Sequence, residues 1–116
     1  MPEFEEIRKA IRCFRDERDW LQFHNPKDMA LAIAIEAAEL LELFLWKNDD
    51  EIRSVVAQRQ EALRDEIADV AIYLIELADN LNIDLGDAIR EKLKKNSIKY
   101  PIERARGRSC KHTESP

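Results

Sequence analysis

Between Lys27 and Lys47 the chain carries no basic residue, and residues 29–46 (MALAIAIEAAELLELFLW) are apolar apart from Glu36, Glu39 and Glu42. Ala, Leu and Ile without Gly or Pro favour a helix. A helix apolar on nearly every side must be covered by other helices. The three glutamates stand at i, i+3 and i+6. Steps of three drift slowly around a helix, so Glu36 and Glu39 lie almost over one another. Neither has a cation within its own helix.

The rest of the chain reads as further helices. Its 116 residues suit one compact domain with a small core, for which oligomerisation is a reasonable expectation. With 45% hydrophobic residues and only 2 Gly and 4 Pro, the composition excludes disorder for the body and points to an all-α fold of four to five helices. Phe4, Ile7, Ile11 and Phe14 follow a 3.6-residue period, predicting a helix over 3–20. Asn25-Pro26 is a start signal for a helix over 26–46, and Asn48-Asp49-Asp50 marks the next turn. A helical stretch over 50–80 changes from polar to amphipathic near 58–60, where a break is expected. Asp84 suits the cap of a helix over 85–98 that Tyr100-Pro101 ends. Residues 1–101 thus form the expected helical domain and 102–116 a polar tail expected to be mobile. No strand pattern or internal repeat is present.

Charge is unevenly spread. Residues 1–89 hold 10 Lys and Arg against 21 Asp and Glu, whereas 90–116 hold 9 against 3. An acidic body with a basic end does not suit a binder of nucleic-acid polymers, but it suits a site holding a cation and a polyanion together. Cys13 and Cys110 show no zinc or redox spacing, which favours a reducing compartment. The opening MPEFEEIRKA is unlike a secretory signal, and the uncharged run 29–35 is far too short to span a bilayer, so a cytoplasmic, membrane-free protein is expected.

A second acidic pair completes the pattern. Asp65, Glu66 and Asp69 introduce the apolar run 70–75, with no Lys or Arg between Arg64 and Arg90. Glu66 and Asp69 are again i, i+3, and Tyr73 lies one turn on. Carboxylates converging on a mostly buried surface repel one another and lose hydration, so they protonate unless a cation compensates them. Oxygen donors without His or Cys favour a hard ion, chiefly Mg2+, with Mn2+ as the second choice. Such ions hold phosphate oxygens and activate water. A di-iron centre is disfavoured because no Glu-x-x-His occurs. The competing reading is a solvated acidic face, the common fate of helical glutamates, and Glu42 fits either.

Glu36-x-x-Glu39 followed by Glu66-x-x-Asp69 resembles the ExxE…ExxD signature of the MazG-like all-α nucleoside triphosphate pyrophosphohydrolases. The flanking blocks Arg18-Asp-Trp20-Leu-Gln-Phe23-His24, Glu42-Leu-Phe-Leu-Trp46-Lys47, Asp69-Val-Ala-Ile-Tyr73-Leu and Lys92-x-x-x-Asn96-x-x-Lys99-Tyr100-Pro101 are most similar to the dCTP pyrophosphatase branch. The resemblance spans roughly residues 15–101. It implies cleavage between the α and β phosphates of a nucleotide such as dCTP or modified dCTP. It also implies Mg2+ on Glu36, Glu39, Glu66 and Asp69 as the catalytic centre, and assembly into homodimers or homotetramers.

The residues themselves agree with a nucleotide. Lys92 and Lys99, at i and i+7 with Asn96 between them, would offer charge to outer phosphates, with Arg90 nearby; a solvated basic helix end is the alternative. Trp20, Phe23, His24 and Trp46 are candidates for a base pocket, the alternative being that the tryptophans close the core. Tyr73 is a candidate for the sugar or metal face, and Tyr100 for substrate binding through its block. Two other functions fit less well: a non-enzymatic helical interaction module, and hydrolysis of another phosphorylated compound such as phosphoribosyl-ATP, against which the aromatic block argues.

Overall fold

The structure, a computed structural model, describes residues 2–108. Among these residues there are only helices and turns: α1 (Pro2–Glu17), a 3-10 turn (Leu21–Phe23), α2 (Pro26–Glu42), α3 (Asp49–Gln58), α4 (Gln60–Asn80), α5 (Leu85–Lys99) and the one-turn α6 (Ile102–Ala105). The all-α expectation is met, with five long helices and one short. Cys110 and the tail beyond Arg108 lie outside the described residues.

Local chemistry explains the boundaries. Asn25 caps α2, its side-chain oxygen accepting from the Asp28 N–H at 2.9 Å, with Pro26 at the first helical position. Asn48 and Glu51 form a reciprocal capping box on α3 (2.9 and 3.2 Å). Asp84 caps α5 through the Asp87 N–H at 3.0 Å, which holds its carboxyl below the usual range. The break expected near 58–60 falls at Arg59, between α3 and α4. Two helices end earlier than the periodicity predicts. The first stops at Glu17 because Asp19 turns left-handed (φ 53°), and α2 stops at Glu42 because the N–H groups of Leu43 and Phe44 close tight turns on the Leu40 and Leu41 carbonyls before Trp46, also left-handed (φ 62°). The turn of helix at 102–105 falls within the segment expected to be a mobile tail.

The chain divides into two units, 1–82 and 83–116. In the first, α2 packs along α4 as the principal interface, and α1 and α3 also lie against α4. Met29, Val55 and Ala78 are its buried apolar residues. Much apolar surface stays open: Leu31, Ile35 and Leu41 on α2, Leu45 in the turn after it, and Ile67 and Leu74 on α4. The second unit holds α5 and α6, with Ile89, Leu93, Ile98 and Ile102 exposed. No helix of the described residues is long and apolar enough to cross a membrane.

Candidate active site

The packing of α2 on α4 converts two sequence spacings into one cluster. Glu36 and Glu39 descend from α2 and Glu66 from α4, and one carboxylate oxygen of each lies within 4.8 Å of the others. Asp69 is outside that trio but one helical turn beyond Glu66, close enough for its charge to disfavour ionisation of both Glu36 and Glu66. Glu39 is exposed, while the other three carboxylates are half-buried. Glu42 is exposed and not part of the trio.

Electrostatically the cluster is frustrated. Burial first, then the hydrogen bond and charge of Glu39, then Asp69 and Glu66, push Glu36 from 4.5 up to about 7. Glu66 is raised by burial and by Glu39 and Asp69. Tyr73, one turn after Asp69, is also raised, by burial and then by the charges of Glu36 and Asp69. Oε2 of Glu36 and Oε2 of Glu66 are sealed from solvent and have no hydrogen-bond donor among the described residues. Orphaned buried acceptors are costly. A hard divalent cation would satisfy both oxygens and offset the repulsion, so the donor set fits such an ion.

Beside the cluster lies an apolar cavity of about 460 Å³ between α1, α4 and the 3-10 turn. Its walls include Ile11 and Phe14 of α1, then Trp20 and His24, and Asp69, Tyr73 and Glu76 of α4. Asp69 therefore borders the cavity while its charge reaches the carboxylates. The left-handed Asp19 folds the chain back so that the Trp20 N–H donates to the Arg15 carbonyl at 3.1 Å. That return sets Trp20 edge-on to Phe14 (centroids 5.8 Å apart, planes at 71°), with the Arg18 guanidinium 3.6 Å above the Phe14 ring.

Of the aromatic residues anticipated for a base pocket, Trp20 and His24 line this cavity, and so does Tyr73. Phe23 (62% exposed) and Trp46 (90% exposed) do not. Lys92, Asn96, Lys99 and Tyr100 belong to the second unit. There the ammonium of Lys99 lowers the proton affinity of Lys92, as expected for two lysines on one helix face. Arg90 is paired with Asp87. Sequence reasoning named His24 but missed Glu76, Asn80 and Arg15. Nδ1 of His24 lies 2.6 Å from Oε2 of Glu76, to which Asn80 Nδ2 also donates at 3.0 Å. Arg15 Nη1 in turn donates to Asn80 Oδ1 at 2.5 Å. Glu76 extends the stripe of Asp69 and Tyr73 by another turn; the i, i+4, i+7 spacing was there to be seen, but nothing marked this glutamate apart from a solvated one.

An all-helical scaffold that sets a carboxylate cluster beside an apolar cavity has the chemistry for a ligand that is polar and anionic at one end and flat and apolar at the other. The MazG-like family model matches residues 31–114, and the chain belongs to that family. The chain is 43% identical to rat dCTP pyrophosphatase 1 and 42% identical to the human protein of that name, each over 99% of this chain and 69% of the relative. A crystal structure of a pyrophosphatase from Archaeoglobus fulgidus superposes with a TM-score of 0.81 at 45% identity, covering 85% of this chain and 93% of that one.

Proposed function

We propose that this protein is a nucleoside triphosphate pyrophosphohydrolase that converts dCTP, or a modified dCTP, to the monophosphate and pyrophosphate. The single observation that carries the reading is the frustrated trio Glu36, Glu39 and Glu66 with Asp69 behind it, opening beside an aromatic-lined cavity. The MazG-like relatives named for this activity support the choice of substrate.

Glu36, Glu39, Glu66 and Asp69 would hold Mg2+, or Mn2+ in its place. A bound cation of this kind supplies charge neutralisation for phosphate oxygens. The chain's own residues do the rest. The cavity takes the base against Trp20 and shuts out water, and Tyr73 stands between base and phosphates. Water attacks the α-phosphorus; a phosphorus–oxygen bond forms there as the α–β anhydride bond breaks. A carboxylate of the cluster accepts the water's proton, and pyrophosphate leaves with the bridging oxygen. Lys92 and Lys99 are the residues proposed for the outer phosphates, and Asn96 and Tyr100 are proposed to bind substrate.

We also propose that a second copy of the chain, at least, covers the exposed apolar residues of α2 and α4, giving a homodimer or homotetramer; so small a buried core fits this. The decisive measurement is pyrophosphate release from a panel of nucleoside triphosphates with Mg2+. Turnover with dCTP among the preferred substrates is expected. A folded protein that releases pyrophosphate from none of them would overturn the proposal and leave the interaction-module reading.

A further inference from the structure

The apolar cavity carries a buried carboxylate that the reaction does not use. Glu76 lies on α4 seven residues after Asp69, about 10 Å along the helix and on the same face. That separation is comparable with the length of a nucleoside. Both residues line the cavity, Asp69 at the carboxylate end and Glu76 at the other. Glu76 is only 5% exposed.

Its surroundings define its chemical role. Arg15, itself 7% exposed, can only donate, so Asn80 must turn its oxygen toward Arg15 and its amide N–H toward Glu76. The His24 ring, facing a carboxylate through Nδ1, donates there as well. Oε2 of Glu76 thus receives two hydrogen bonds from donors that are themselves held. Both of these hydrogen bonds fall on Oε2, and the side chain borders the apolar cavity. A carboxylate held through one oxygen keeps the acceptor capacity of the other for a ligand that supplies a donor.

We propose that Glu76 is the base-selecting residue: its second carboxylate oxygen accepts a hydrogen bond from the exocyclic amine of the base in the cavity, so that amino-bearing cytosine is taken and keto-bearing uracil and thymine are refused. Asn80, Arg15 and His24 are positioning residues, because they hold the carboxylate without touching the base edge through it. The discrimination is by kind of hydrogen-bonding group. Cytosine presents N4–H2, a donor, where uracil and thymine present O4, an acceptor. A carboxylate oxygen facing O4 sets two acceptors face to face. Sites built around a required hydrogen bond refuse the wrong partner far more strongly than apolar pockets discriminate by size. The inference rests on the nucleotide reading above and deepens it.

The test is Glu76→Gln, whose amide can turn its NH2 toward the base. The ratio of kcat/KM for dCTP to that for dUTP should fall by at least about tenfold, with dUTP turnover rising in absolute terms. A merely structural role would depress both substrates in parallel and leave the ratio intact; that result, or an unchanged ratio, overturns the proposal. As a measurement that needs neither the variant nor turnover, saturation-transfer NMR on the wild-type protein should show dCMP binding in preference to dUMP and to N4,N4-dimethyl-dCMP, which keeps the ring but lacks the donor. Equal binding of the three, or binding of none, overturns it as well. Selective binding of dCMP by a protein that hydrolyses nothing would sink the enzyme reading and leave Glu76 as the selector. Hydrolysis of triphosphates without preference for the amine would do the reverse.

Discussion

Arg12 on α1 grips Asp79 on α4 with two prongs, Nε to Oδ2 at 2.9 Å and Nη2 to Oδ1 at 2.6 Å, across 67 residues of chain. Arg8 adds a third approach at 3.6 Å. The Asp79 side chain is 8% exposed, while that of Arg12 is nearly half open to water. The pair fastens α1 against α4 one turn beyond Glu76, at the end of the cavity that we assign to the base.

Asp79→Ala is therefore expected to lower stability by about 1 kcal/mol, at the low end for a charge-assisted pair because water screens the arginine. It should also raise KM more than it lowers kcat, since it loosens a wall and not the carboxylates. The hydrogen bond and charge of Arg12 hold the Asp79 carboxyl below its usual 3.8. A depressed pKa contributes stability that is present above the unfolded value and is lost as pH falls through the folded one. Urea titrations between about pH 5 and pH 2 should show a shallower acid loss for Asp79→Asn than for the wild type. Parallel acid profiles would mean that the pair carries no net coupling.

The carboxylate cluster predicts the opposite dependence. Glu36 is raised from 4.5 to about 7 by burial and by its acidic neighbours. Between those values the ion-free folded protein keeps a proton that the unfolded chain has released. Stability without metal must then fall as pH rises from about 4.5 to about 7. Thermal melts in EDTA should show that decline, and Glu36→Gln should flatten it while raising the melting temperature near neutral pH. Adding Mg2+ in hundredfold excess over its dissociation constant should stabilise the wild type by about 2.7 kcal/mol. Melts indifferent to both EDTA and Mg2+ would remove the proposed ion.

Activity should follow the same residues. Glu39→Gln and Glu66→Gln keep the size of the side chain but remove its charge, so each is expected to cut kcat by about a hundredfold or more while the fold persists. Trp20→Ala should act mainly through KM, because Trp20 lines the cavity and not the cluster. Equal kcat losses from Trp20→Ala and Glu39→Gln would contradict a division between base end and phosphate end.

How much of this was legible beforehand depended on how local the cause was. The helices were, because period and caps act within a turn: Asn25, Asn48 and Asp84 each cap where their type predicts. So was the convergence of Glu36, Glu39 and Glu66, since acids without local cations on two apolar helices leave few arrangements. The early ends of α1 and α2 were hidden because left-handed Asp19 and Trp46 do not announce themselves as a glycine would. Glu76 was hidden for a different reason. Its significance lies in His24, Asn80 and Arg15, two of them more than 50 residues away, and a tertiary network leaves no periodic trace.

Trp46 supplies the last prediction. It is 90% exposed and sits at φ 62°, a conformation that costs a bulky residue of the order of 1 kcal/mol or more. An isolated chain gains nothing from a tryptophan there: glycine would relieve the backbone and remove an aromatic surface from water. If a second copy covers this residue, the indole should emit at shorter wavelength in the assembly than on dilution. Trp46→Gly should then weaken association in sedimentation experiments while leaving the dissociated chain at least as stable as wild type. A protein that sediments as a monomer at micromolar concentration, with a solvent-like tryptophan spectrum unchanged by nucleotide, would show that this side chain meets no partner.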